Sequence, residues 1–193
     1  MLDYINGVFM FAKIAVIFPG VGYNKYMPLL YFSNKLAAGK GFKVKSLDFK
    51  GFPQRLKGDR EAMMYSFQLA ISQAEEQLRF ISFKDYEDVV FISKSIGSVA
   101  ASIYATKHFV PARQLYFTPL EQAFSLMKDE NGIVFCGSDD TWVNKDLVIS
   151  ECEKKHLELH TIENVGHSLE NEDLPTSLRD FADIMTIVDR FLS

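Results

Sequence analysis

Three short stretches of the chain hold residues that could do covalent chemistry together. After the apolar run Val89-Val90-Phe91-Ile92 the sequence reads Ser93-Lys94-Ser95-Ile96-Gly97-Ser98, and Val99, Ala100, Ala101, Ile103 and Tyr104 follow at helical spacing. A serine between small residues at an abrupt strand-to-helix turn has its hydroxyl lifted above a sheet, because so strained a turn tolerates little bulk at either flank. Ser95 is therefore the candidate nucleophile, and the free N–H groups at the start of the helix behind it aim at the place where negative charge would develop. A neutral hydroxyl attacks poorly without a base. The stretch Glu163-Asn164-Val165-Gly166-His167-Ser168 offers His167 in a loop ahead of the last helix. An acid to orient that histidine lies in Gly137-Ser138-Asp139-Asp140-Thr141-Trp142-Val143. The residues alone leave Asp139 and Asp140 both open, and either could instead form a turn or cap a helix starting near Asn144.

The elements needed to bring these residues together can be read from hydrophobic period. Short apolar runs at 14–18, 43–48, 88–93, 114–118, 132–137 and 157–162 are bounded by Gly, Pro or Asp and separated by stretches of helical period. Pro28 opens one predicted helix that Gly39 and Gly41 close, and 61–80 holds a long amphipathic one. The last helix, 175–192, sets Leu178, Phe181, Met185, Val188 and Phe191 on one face for docking. Strand, helix, strand throughout implies an α/β fold with a doubly wound, mostly parallel sheet of about six strands. Asn6-Gly7 between 2–5 and 8–11 suits a tight hairpin turn, so an extra N-terminal antiparallel edge is expected. No repeat or linker composition divides the chain, which reads as a single domain over 1–193. In such a sheet, ligands bind beyond the carboxyl ends of the strands, where Ser95, the aspartates and His167 all fall.

Composition narrows the classes of partner. The 193 residues are 48% apolar and 24% charged, which suits a packed core and excludes disorder. With 21 basic against 25 acidic residues the formal charge is −4, so nucleic acid and anionic membrane surfaces are poor partners. Cys136 and Cys152 have neither a disulfide-framework pattern nor metal-ligand spacing, and Asp3, Asn6 and Lys13 interrupt the N-terminal apolar stretch. A cytoplasmic location is the expectation. His156 and His160 lie four apart, but Leu157-Glu158-Leu159 alternates like a strand and no third ligand is near, so a structural role is expected and no metal. His108 suits a helix terminus.

Taken together, Phe18-Pro19-Gly20-Val21-Gly22-Tyr23, the Ser95 turn, Gly137-x-x-Asp140 and Gly166-His167 resemble the α/β-hydrolase superfamily over nearly the whole chain. Within it the chain is similar to the small esterase-like members, of dienelactone hydrolase or short serine hydrolase type. The chain order Ser, Asp, His is that of the superfamily. The resemblance implies a serine hydrolase, with Ser95 as nucleophile, His167 as general base and Asp140 as its partner through the Gly-x-x-Asp spacing. It implies oxyanion-hole N–H groups from Ile96, after the nucleophile, and from Val21, after Pro19-Gly20. The chain departs from the pattern at Ser93, in place of the first glycine of Gly-x-Ser-x-Gly, and at Pro19, where many members have His.

Tyr23 and Trp142 flank these loops and are candidates for pocket walls, although aromatics there also cover core edges. Lys94 is a candidate to attract a substrate carboxylate, with a solvated or locally paired lysine as the plainer reading. The superfamily's lid usually enters after the strand at 114–118, and here only the 13 residues of 119–131 are available, so no large lid is expected. An open site of that kind favours soluble esters or thioesters of small to medium acids as the substrate, without a cofactor. Met63, Met64 and Tyr65 are expected to overhang it. Acyl transfer with the same triad and a non-catalytic binding protein on this fold are the alternative functions. A dinucleotide site at Gly20-Val21-Gly22 is disfavoured, because Lys25 stands where the third glycine belongs.

Overall fold

Strands that are apolar on both sides must be covered on both sides, and this requirement sets the architecture. The computed structural model describes residues 12–193, together with the backbone of strands β1 (Asp3–Ile5) and β2 (Val8–Met10). There follow β3 (Lys13–Phe18), α1 (Pro28–Gly39), β4 (Phe42–Ser46), α2 (Arg60–Leu78), β5 (Asp88–Lys94), α3 (Ile96–Lys107), β6 (Arg113–Phe117), α4 (Glu121–Phe124), β7 (Gly132–Gly137), α5 (Lys145–Lys154), β8 (Glu158–Ile162) and α6 (Leu174–Phe191). The six strands from β3 to β8 form one sheet in the order β4-β3-β5-β6-β7-β8, every pair parallel. All six predicted strands are present. The strands β1 and β2 pair antiparallel with each other as a separate two-stranded ladder, not as an edge of the main sheet. The Asn6-Gly7 turn expected between them lies outside the described residues.

Alternation along β3 shows the two layers directly. Ile14, Val16 and Phe18 enter a core shared with α2, α3 and α5, whereas Ala15 and Ile17 enter the opposite core under α1 and α6. All five are fully buried. Three of the helices begin where a side chain satisfies free backbone donors: Asp59 caps α2, Asn144 caps α5 and Asp173 caps α6. Asn144 itself, not Asp139 or Asp140, is thus the cap of α5.

The inward stripe of α6 is Ser177, Phe181, Ile184 and Val188, with Met185 and Phe191 packed beside it. Leu178, expected on that face, is 58% exposed. The inward position of the first turn belongs to Ser177, whose hydroxyl donates to the Asn171 carbonyl and accepts from its N–H, so the turn holds the preceding loop instead of adding apolar area.

The sheet order reverses between β3 and β5. A crevice forms at such a switch point, beyond the carboxyl ends of the strands, and the loops after β3, β5, β7 and β8 all open there.

Candidate active site

Ser95 sits at the end of β5 as the residue preceding α3, with φ 53° and ψ −122°. A non-glycine residue there is strained by about 1–3 kcal/mol and needs its surroundings to hold it. Two contacts do so: the Ser95 N–H donates to the Phe117 carbonyl at 3.1 Å, and the Ser95 carbonyl accepts from the Ser98 N–H and hydroxyl. Close packing does the rest. A Cβ on Gly97 would stand 2.3 Å from the Phe18 carbonyl oxygen, so α3 can approach β3 this closely only with glycine there. Ser93, in the other small flanking position, is fully buried and its hydroxyl donates to the Leu115 carbonyl.

The structure brings Ser95, His167 and Asp140 into one hydrogen-bonded chain. Ser95 Oγ is 2.8 Å from His167 Nε2, and His167 Nδ1 is 2.7 Å from Asp140 Oδ2. With Nδ1–H donating to the carboxylate, Nε2 is left to accept from the serine hydroxyl. The other Asp140 oxygen accepts from the Trp142 N–H at 2.8 Å, which fixes the carboxylate. Asp139 turns away, its carboxylate accepting from the Ser138 hydroxyl at 2.8 Å, so of the two aspartates it is Asp140 that lies against His167. Gly137 makes room for the histidine loop: a Cβ there would lie 2.3 Å from the Val165 carbonyl oxygen.

Burial works in opposite directions on the two titrating groups. For His167, burial pushes the pKa below the usual 6.5, helped by the charges of Lys94 and Lys57, against the Asp140 hydrogen bond that raises it. The neutral, proton-accepting imidazole is therefore the form at pH 7. For Asp140, burial raises the pKa, but the His167 hydrogen bond and charge, the Trp142 N–H and Lys94 outweigh it and leave it lowered.

The cavity beside Ser95 has a volume of about 620 Å³, within the usual range for small-molecule sites. Val21, Ile96, Leu120, Met63 and Trp142 line it with Ser95 and His167. The N–H of Ile96 is the first of α3, where no carbonyl one turn back is available, and Val21 lies on the facing loop. Gly20 of that loop passes so close that a Cβ would be 3.3 Å from Ser95 Cβ.

Tyr23 and Lys94 do not line the cavity. Tyr23 is 7% exposed, and its hydroxyl accepts from the Leu29 N–H at the start of α1, a helix-terminus role. Lys94 is 1% exposed, with the Tyr23 ring, Thr118 and the histidine loop against its ammonium. It is neither solvated nor facing a substrate: its ammonium donates to Thr118 Oγ1 at 2.5 Å and to the His167 carbonyl at 2.7 Å, over the Tyr23 ring. Burial pushes the Lys94 pKa down to about 7. Met63 reaches the cavity, whereas Met64 and Tyr65 are 49% and 54% exposed and do not line it.

The remaining wall, 54–58, was not signalled by any motif. The chain leading into it is held by two glutamines of α2, each donating and accepting once with a backbone amide: Gln77 with Asp48, and Gln73 with Lys50. A pair of glutamines four apart on a predicted helix was the available signal. Among the described residues no cluster of His, Cys, Asp or Glu could hold a metal ion. His160 stacks on Phe135 and bonds Glu158, and His108 ends α3 against Glu75.

No protein-family model and no curated protein matches the sequence. Solved structures do match in fold. An alpha-beta serine hydrolase homologue from Coxiella burnetii aligns with a TM-score of 0.67 at 14% identity, covering 94% of this chain and 85% of that one. Est1E from Butyrivibrio proteoclasticus gives 0.64 at 10% identity, over 94% of this chain and 87% of that one. The chain has the α/β-hydrolase fold. It is the compact form without a large lid, since 119–131 holds only the one-turn α4, and it matches a serine hydrolase without lid from Xanthomonas campestris with a TM-score of 0.62 at 11% identity, over 96% and 83% of the two chains.

Proposed function

We propose that the protein is a serine hydrolase that cleaves carboxylic esters or thioesters of small to medium acids through an acyl-enzyme on Ser95. The observation that carries this reading is the Ser95–His167–Asp140 chain at the floor of a cavity that also borders the start of α3. His167 Nε2 takes the hydroxyl proton as Ser95 Oγ bonds to the ester carbonyl carbon. The carbonyl oxygen becomes an oxyanion, held by the Ile96 and Val21 N–H groups. Asp140 stabilises the imidazolium formed in that step. His167 returns the proton to the leaving alcohol or thiol as the carbon–oxygen or carbon–sulfur bond breaks. Water then attacks the acyl-enzyme, giving its proton to His167, and the acid departs as Ser95 regains a proton. The serine hydrolase neighbours at fold level agree with this chemistry.

The test is modification by an alkyl fluorophosphonate, located by mass spectrometry, beside turnover of acyl-chain-length panels of aryl esters and thioesters. Adduct on Ser95, absent in Ser95→Ala, together with ester cleavage that falls by several orders of magnitude in folded Ser95→Ala and His167→Ala, is the expected result. A folded protein that neither labels at Ser95 nor cleaves any ester refutes the proposal.

A further inference from the structure

The chain carries a net charge of −4, yet the side chains that line the cavity beside Ser95 include two cations, Arg55 and Lys57, and no carboxylate. Asp140, behind His167, is committed to it and its side chain is 1% exposed. Asp59, just beyond the wall, is turned to the first turn of α2, where it accepts from the Ala62 N–H. Among the described residues neither Arg55 nor Lys57 is ion-paired, although lysines elsewhere on the surface find acids, as Lys25 does with Asp48 and Lys107 with Glu75. Two unneutralised cations on an acidic protein are thus concentrated at the cavity that borders Ser95.

The segment that carries these cations is also anchored. Lys57 Nζ donates to Thr141 Oγ1 at 2.5 Å and lies 5.7 Å from the centroid of the Trp142 ring, which itself is 5.4 Å from the His167 ring. Its charge reaches the site, since it contributes to lowering the His167 pKa. Leu56, between the two cations, is 8% exposed and pins the segment to the body of the protein. The two glutamine clamps from α2 fix the backbone that leads into it. A wall ordered in this way loses little freedom when a ligand binds, and a guanidinium beside an ammonium is the donor set that suits an oxyanion.

We propose that the natural substrate of this site is an anionic ester or thioester, one that carries, besides the bond to be cleaved, an ionised oxyanion group received by Arg55 and Lys57. This rests on the serine hydrolase reading above. The apolar lining by Val21, Ile96, Leu120, Met63 and Trp142 accommodates the carbon chain between the reacting carbonyl and that group.

A matched pair of fluorophosphonates tests the inference without knowledge of the natural acyl group. The two probes have equal chain length and end in a carboxylate or in its methyl ester. In each, Ser95 Oγ bonds to phosphorus as fluoride leaves, and the proton passes through His167 to solvent. The expected result is that at low ionic strength the carboxylate probe modifies Ser95 about tenfold faster than its methyl ester, the scale set by one to two partly solvated charge contacts. That ratio falls towards one in the Arg55→Gln/Lys57→Gln double variant and in 0.5 M salt. Both replacements are exposed, and glutamine at 57 retains a donor for Thr141, so folding is preserved; circular dichroism checks it. A third probe ending in a phosphate monoester distinguishes the oxyanion: a larger ratio for it assigns a phosphate, a smaller one a carboxylate. Equal or slower modification by both anionic probes, or a preference that persists in the double variant, overturns the inference while leaving the nucleophile intact. Absence of any Ser95 modification overturns the hydrolase reading and the inference with it.

Discussion

Replacing Lys94 by methionine should change how stability depends on pH, by an amount that follows from its position. The side chain is 1% exposed, and burial pushes its pKa from 10.5 down to about 7. In the unfolded chain the ammonium keeps its ordinary pKa, so between about pH 7 and pH 10.5 the unfolded state binds more protons than the folded one. Stability contributed by this residue therefore rises with pH across that window, is complete above it, and is lost as pH falls towards 7. At about 1.4 kcal/mol per pH unit, allowing for partial protonation near pH 7, the wild type should gain about 2 kcal/mol relative to Lys94→Met between pH 7 and pH 9. Other alkaline groups, such as buried Tyr23 and Tyr116, cancel in the difference between the two proteins. Urea unfolding of both at pH 7, 8 and 9 measures it. Lys94→Gln, which keeps a donor for Thr118 and the His167 carbonyl, should show the same slope if the methionine variant folds poorly. A difference that stays constant within about 0.5 kcal/mol over this range would refute the claim that a buried ammonium is being discharged.

Three further outcomes are expected. Asp140→Asn should lower ester turnover by roughly a thousandfold or more, because it removes the carboxylate that orients and stabilises the His167 imidazolium, while Asp139→Asn should stay within a few-fold; equal losses would contradict the 2.7 Å assignment. The acid limb of kcat/KM should have its midpoint below pH 6.5, since burial lowers the His167 pKa, so activity is lost as pH falls through that lowered value and a midpoint above 7 would be inconsistent. Gly97→Ala should destabilise the protein by several kcal/mol or misplace the Ser95 turn, because its methyl group would stand 2.3 Å from the Phe18 carbonyl oxygen; thermal unfolding within 2 °C of wild type, with turnover retained, would show that the contact relaxes.

What the sequence made legible is local and periodic. Six apolar runs of strand length, alternating with helical stretches, imply parallel strands joined by crossover helices, while the order of the strands came from the structure. The neighbourhood of Ser95, Asp140 and His167 was legible because each follows a strand in a parallel sheet, whose carboxyl ends must share one edge. Less was readable where burial depends on what a distant segment covers. Nothing local marks Lys94 as buried: it ends a strand, and it is the return of the His167 loop, of Thr118 and of the Tyr23 ring that encloses it. Of the two places open to Tyr23, pocket wall or core edge, the structure takes the second for the same reason, its partner being the start of α1. Leu178 fits the helical period as well as Ser177 does, and the choice between them is made by the loop at Asn171. The cationic wall at 54–58 has no periodic signature at all, being irregular chain positioned by side chains of α2.

The histidine is carried by the chain that leaves β8, and β8 is the last strand of the sheet, paired on one side only. Its residues are exposed or half-buried, from Glu158 to Ile162, whereas β5, which carries the serine, is covered on both faces and paired on both edges. The parts of the site therefore differ in how firmly they belong to the fold. Fraying of an edge strand costs less free energy than global unfolding, and here it would carry off His167 while leaving the strained serine turn in place. Reversible loss of function on mild warming should precede loss of the core, with amide exchange fast in 158–167 and slow in β5. Lys94 and Thr118, which grip the His167 carbonyl from the centre of the sheet, act as the brake on that first step.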